Sequence, residues 1–162
     1  MDIYRRLASP APLSPDWALA VLRVVVGFTF LMHGWQKLFE LGFAGTMEMF
    51  VQMSVPLPGL TGPLVSVVEL VGGALLLIGL ATRLAAIVLA IDMLVAVLLV
   101  HLAGGFFVPY GVELVLLLLA GAVALVLGGP GAFALDRLLA ASLTGRAALR
   151  SPVQAAPASR RD

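Results

Sequence analysis

Four stretches of this chain are each apolar over close to the twenty residues that a helix needs to cross a bilayer. They run from about Trp17 to Phe39, Pro63 to Ala81, Leu84 to Leu102 and Gly111 to Leu127. Across all 162 residues, 61% are hydrophobic and only 12% are charged, with a mean hydropathy of +1.08. A water-soluble domain of this size has too little interior to hide so much apolar surface, so lipid is the implied solvent. The expected fold is an all-α membrane protein, a four-transmembrane-helix bundle. The chain has no cysteine, which removes disulfides, thiol relays, iron–sulfur clusters and thiolate zinc sites together. A cleaved signal peptide is not expected. "ASPAPLSPD" separates Arg5 and Arg6 from the first apolar run, which is longer than a signal core and is followed by no small-x-small site.

Local signals set the boundaries. In "SPDW", Ser14 can cap a helix, Pro15 suits the first helical position, Asp16 suits the positive helix end and Trp17 suits the interface. "ATR" alone joins the second and third spans, so they form an antiparallel hairpin. "AGGFFVPY" turns the chain again, and "GGPG" at 128–131 ends the fourth span. Arg5, Arg6, Arg83, Arg137, Arg146, Arg150, Arg160 and Arg161 then fall on one side, against Lys37 alone on the other. Positive charge retained inside predicts an N-in/C-in topology, with 40–62 and 103–110 facing outward. Residues 1–16 become a cytoplasmic segment, 17–139 the membrane domain, and 140–162 a disordered basic tail whose arginines lie near anionic headgroups. In the first outer loop Phe43, Met47, Phe50 and Met53 recur at helical spacing and predict a short helix at the outer interface. Met47, Met49 and Met53 read as apolar contacts there, not as a soft-metal site. No metal site and no nucleic-acid partner are expected.

Ionisable groups inside lipid face a bundle interior and find partners. At a rise of about 1.5 Å per residue, Arg23 and Asp92 lie roughly 9 and 12 Å from the inner boundary, which predicts a structural ion pair. His33 and Glu69 each lie roughly 9 Å below the outer boundary. They read equally as a proton-accepting pair and as a polar contact between helices. Lys37, His101 and Glu113 sit near the outer helix ends. Lys37 can snorkel to the interface there, and Glu113 suits the positive dipole end of its helix. Helical phase puts Arg23, Gly27, Phe30, His33, Gly34 and Lys37 in one sector of the first helix, and Glu69, Gly72, Gly73 and Leu76 on one face of the second. His101 points nearly opposite to Asp92, toward water or headgroups. His33, Lys37, Glu69 and Glu113 are therefore the candidate catalytic group, opening outward, with His33 and Lys37 as its ligand-binding members.

The strings "RVVVGFTFLMHGWQKLF", "VELVGGALLLIGLATRLAAIVLAIDMLVA" and "GVELVLLLLAGAVALVLGGPGAFALDRLL" occur in that order. With "E-x-x-GG" opening the second span, "GL-x-TR" closing it and "GPG-x4-D" after the fourth, the chain from about Leu22 to Leu139 resembles the DoxX family. The motif positions are Arg23, His33, Gly34, Lys37, Glu69, Gly72, Gly73, Arg83, Glu113 and Asp136. The resemblance implies a four-helix bacterial inner-membrane protein that serves as an oxidoreductase component, with soluble redox or sulfur-transfer partners. Related members are similar to the membrane subunit of a thiosulfate:quinone oxidoreductase. It supplies no catalytic residues to carry over.

Three functions compete. The first is a redox component that engages a quinone headgroup near the outer leaflet, His33 and Lys37 donating to the quinone oxygens while Glu69 and Glu113 pass protons. A haem between His33 and His101 fits poorly in phase and depth. The second is a non-enzymatic anchor or assembly subunit, whose polar layers only hold the bundle together and which can be oligomeric. The third is a small-solute or proton pathway, for which four short helices leave little room and no span is broken at mid-membrane.

Overall fold

The structure is a computed structural model and describes residues 15–150. Most of the expected amino-terminal segment and residues 151–162 of the expected tail lie outside the described residues. Helix α1 spans Pro15–Trp35 and continues through a π-helical turn, Gln36–Glu40. A short helix, α2, spans Gly42–Gln52, and α3 spans Pro58–Ile78. Helix α4 spans Thr82–Ala96 and runs on through a second π-helical turn, Val97–His101, and a 3-10 turn, Leu102–Gly104. Helix α5 spans Glu113–Gly128 and α6 spans Leu135–Arg150. The described residues contain no strand. Three stretches, Pro15–Glu40, Pro58–Ile78 and Thr82–Gly104, are long and apolar enough to cross a membrane, and α5 is a shorter apolar helix of 16 residues.

Helix α1 packs on α3, α3 on α4, α4 on α5, and α5 back on α1, so the apolar helices close a ring. Phe30, Leu76, Leu89 and Leu125 fill its centre. Val21, Val25, Phe28, Leu84, Ile91 and Leu117 point outward and stay exposed, as expected of residues whose solvent is hydrocarbon. The α1–α3 contact is the most extensive, and glycine makes it so. A Cβ on Gly34 would fall on the Leu70 backbone, and one on Gly73 would come within 2.7 Å of the Gly27 carbonyl oxygen. Small residues let helix backbones approach closely where lipid supplies no hydrophobic drive for association.

The expected helix in the first outer loop is present as α2, with its face turned differently. Phe50 and Thr46 are buried, and Thr46 Cγ2 would lie 3.5 Å from a Cβ at Gly62 of α3. Phe43, Met47 and Met53 stay exposed. Packing on α3 thus takes Phe50 out of the row that sequence spacing assigned to the interface.

At the arginine-rich end, residues 129–134 fold across the turn between α3 and α4. The Asp136 carboxylate accepts the Ala81 and Thr82 N–H groups at 2.7 and 2.8 Å and so caps α4. Its own N–H donates to the Gly79 carbonyl at 2.9 Å. Gly79 adopts φ +69°, and a Cβ there would lie 2.7 Å from that of Ala134, so glycine meets both the backbone and the space requirement. Arg137 pairs with Asp16 at 2.6 Å, and the Ala132 N–H donates to the Asp16 carbonyl at 2.9 Å. Helix α6 runs through Arg150 from a first turn tied down by Asp136 and Arg137.

Burial raises the Asp136 carboxyl. The Thr82 and Ala81 amides and the Arg23 charge outweigh that effect and hold it below the ordinary carboxylate range. A lowered folded-state value stabilises the fold above the unfolded carboxylate pKa and loses that contribution as acid protonates the folded group. Asp136→Asn should therefore melt below the wild type at neutral pH, with the gap closing below about pH 3.9. Thermal unfolding in detergent across that range checks this.

Candidate functional site

The centre of the far end is an ion pair. Lys37 Nζ, on the π-helical turn after α1, donates to Glu69 Oε2 of α3. Glu69 is only 3% exposed. The backbone around Lys37 is shaped for this. The Leu41 N–H bonds to the Gln36 carbonyl at 3.0 Å rather than to that of Lys37, and the buried Thr46 hydroxyl of α2 takes the Lys37 carbonyl at 2.7 Å. A π-helical turn inserts extra chain into a helix and rotates the later side chains, a device common at functional sites. The glycine contacts at Gly34 and Gly73 bring the two helices close enough for the pair to form.

Two further ionisable groups belong to this region. His33, one turn before Lys37, is partly exposed and lies within electrostatic range of both Lys37 and Glu69. It lines an open hollow of about 240 Å³ with Met32, Gln36 and Glu40. Asp92 of α4 is acted on by Glu69 and by Lys37, and its Oδ2 is buried with no hydrogen-bond partner among the described residues. Helices α1, α3 and α4 thus gather His33, Lys37, Glu69 and Asp92. A charge inside hydrocarbon is costly, up to about 2.5–3.5 kcal/mol at mid-bilayer on insertion scales, so grouping opposite charges lowers the cost of burying them.

Two sequence expectations are corrected. Arg23 does not pair with Asp92. Its guanidinium donates to the carbonyls of Leu76 at 2.8 Å, Leu77 at 3.0 Å and Ala132 at 3.1 Å. It caps the end of α3, where unpaired carbonyls carry partial negative charge, and fastens the 129–134 loop. The reason is the hairpin. Asp92 lies about as far past the α3–α4 turn as Glu69 lies before it, so those two are level, while Arg23 is level with Leu76. That symmetry is legible in the sequence, whereas depth counted from each span's own end hides it. Glu113, expected in the outward group, accepts the Val108 N–H at 2.8 Å and holds the 103–112 loop. His101 Nδ1 lies 3.2 Å from the Tyr110 carbonyl oxygen, on the same loop. Of the candidate catalytic group the structure therefore brings together His33, Lys37 and Glu69, and it adds Asp92.

These features define a multi-pass membrane protein with a buried charged group near one end of its helical ring. The chain belongs to the DoxX family, whose model matches residues 18–102. It is 35% identical over 116 residues to "Putative oxidoreductase CatD" of Bacillus subtilis (strain 168), covering 72% of this chain and 82% of that protein. It is 35% identical over 134 residues to "Uncharacterized membrane protein Rv3486" of Mycobacterium tuberculosis (strain ATCC 25618 / H37Rv), covering 76% and 82%. It is also 34% identical over 129 residues to "Inner membrane protein YqjF" of Escherichia coli (strain K12), covering 76% and 93%. No solved structure matches the chain. The resemblance read from the motifs is thereby established, as is a bacterial inner-membrane location.

Removing one member of a buried ion pair strands the other and costs about 3–5 kcal/mol. Lys37→Met alone should destabilise the protein strongly, and Lys37→Met with Glu69→Gln should recover part of the loss. Melting of the two variants side by side in one detergent measures the coupling.

Proposed function

We propose that this protein is the membrane component of a redox complex, with four helices crossing the bilayer and both termini in the cytoplasm, and that its outward charged group engages a quinone headgroup. The observation that carries the reading is the junction of a buried, charged interior with an open hollow through His33. Lys37 and Glu69 form the interior pair, and His33 joins it to the hollow beside Met32, Gln36 and Glu40. Reducing a quinone consumes protons as well as electrons. The His33 imidazole can both donate and accept a proton, and Lys37 and Glu69 lie within electrostatic range of it. The chain has no cysteine, and the electrons are assigned to a soluble oxidoreductase or sulfur-transfer partner. The oxidoreductase wording in the name of the Bacillus subtilis relative agrees with this class. The arginine asymmetry supports the orientation, and the apolar character of α5 supports its being the fourth span.

One observation favours an assembly subunit instead. The Lys37–Glu69 pair is closed and joins the two most extensively packed helices, which a purely architectural polar layer would also do.

One experiment tests the orientation and a second decides between these readings. Because the chain has no cysteine, a single cysteine at exposed Glu48 should be labelled by an impermeant reagent on intact cells, and one at exposed Ser142 should not. The reverse pattern would overturn the orientation. His33→Gln keeps hydrogen-bonding capacity but loses the imidazole's ability to take up and release a proton. In a reconstituted complex it should lower quinone turnover by about 10²-fold or more, the lower end of what a positioned proton-transfer group contributes, with melting unchanged. Full turnover in that variant would move the assignment to the assembly subunit.

A further inference from the structure

The charged group holds more negative than positive partners. Lys37 is the chain's single lysine, and it is already bonded to Glu69. Asp92 stands beside them with a buried Oδ2 that has no partner among the described residues. The charged groups facing it are accounted for element by element. Helix α3 presents Glu69, α1 presents Lys37 with His33 beyond it, and the acidic group of α5, Glu113, is committed to the Val108 amide. Arg23, the other cation of α1, is bound at the opposite end to the α3 carbonyls. One ammonium therefore serves two carboxylates. Two carboxylates sharing a low-dielectric site cannot both be ionised cheaply, and an unpaired carboxylate atom buried away from water is costly unless it carries a proton.

We propose that Asp92 is a proton-holding site. In the resting arrangement Asp92 is the neutral acid, so that no uncompensated charge is buried at its unpartnered Oδ2, and Glu69 is the carboxylate paired with Lys37. The use of this proton in quinone reduction rests on the function proposed above. The existence of the site does not, and the test reads the proton directly.

Infrared spectroscopy of the full chain in lipid nanodiscs, with neither quinone nor partner present, should show the carbonyl stretch of a buried protonated carboxyl at neutral pH. The band should disappear in Asp92→Asn and persist in Glu113→Gln. Isotope-labelled aspartate should shift it, which keeps the test decisive if Asp92→Asn does not fold. In Lys37→Met the band should remain, because loss of the ammonium removes the charge that would let both carboxylates ionise. Absence of the band in the wild type, its survival in Asp92→Asn, or its insensitivity to aspartate labelling would each overturn the proposal. Failure of quinone turnover with the band intact would instead count against the redox reading alone.

Discussion

The ion pair between Lys37 and Glu69 is the interaction on which the far end of this molecule depends. A buried glutamate beside a hydrocarbon solvent is tolerable only if a cation reaches it, and the single lysine reaches it because the helices are made to let it. Gly34 and Gly73 remove the side chains that would hold α1 and α3 apart. The π-helical turn reshapes the backbone that carries Lys37, and the Thr46 hydroxyl occupies the carbonyl that this turn leaves without its usual amide. Helix α2, which looks like a surface feature in the sequence, thereby supports the site from outside the ring.

The arginine-rich end follows the same logic with different parts. Arg23 is nearly fully buried and bonds to main-chain carbonyls rather than to an acid. Asp136 answers it from the other side by capping the start of α4. One residue closes the end of α3 and the other closes the beginning of α4, so the short "ATR" turn carries no unsatisfied helix end at those positions. The "GPG-x4-D" motif matters because it delivers both the Ala132 carbonyl and the Asp136 carboxylate to that turn. The two ends of the ring are thus fixed independently, leaving the charged group at the far end free of any structural demand from Arg23.

The apolar runs made the helices legible, because a span in lipid announces itself by length and hydropathy alone. The hairpin joined by "ATR" and the short helix Gly42–Gln52 were legible from turn length and apolar spacing. His33, Lys37 and Glu69 could be grouped from helical phase and depth. Asp92 was misassigned because depth was judged separately for each helix, whereas the hairpin fixes α3 against α4 directly and makes Glu69 and Asp92 level. Nothing in the sequence signals a π-helical turn at Gln36–Glu40 or at Val97–His101, since such a turn is set by tertiary contacts like that of Thr46. Glu113 reads as a member of the site because it lies near the same end of the ring. Its side chain is drawn instead to an amide in its own loop, a local bond that outcompetes a distant one.

The central claim is that the lysine turns into the bundle to pair with Glu69, in a charged group that also contains Asp92. Because Lys37 is the only lysine, ¹⁵N-labelling of lysine marks one side-chain nitrogen in the whole protein. A dipolar-recoupling measurement by solid-state NMR in bilayers, with carboxyl carbons of Glu and Asp labelled in separate samples, reads its distance to each. The account predicts a direct-contact coupling to a glutamate carboxyl that is lost in Glu69→Gln, and a weaker coupling to an aspartate that is lost in Asp92→Asn. A lysine nitrogen with no carboxyl coupling, as expected of a side chain extended to the headgroups, would contradict it.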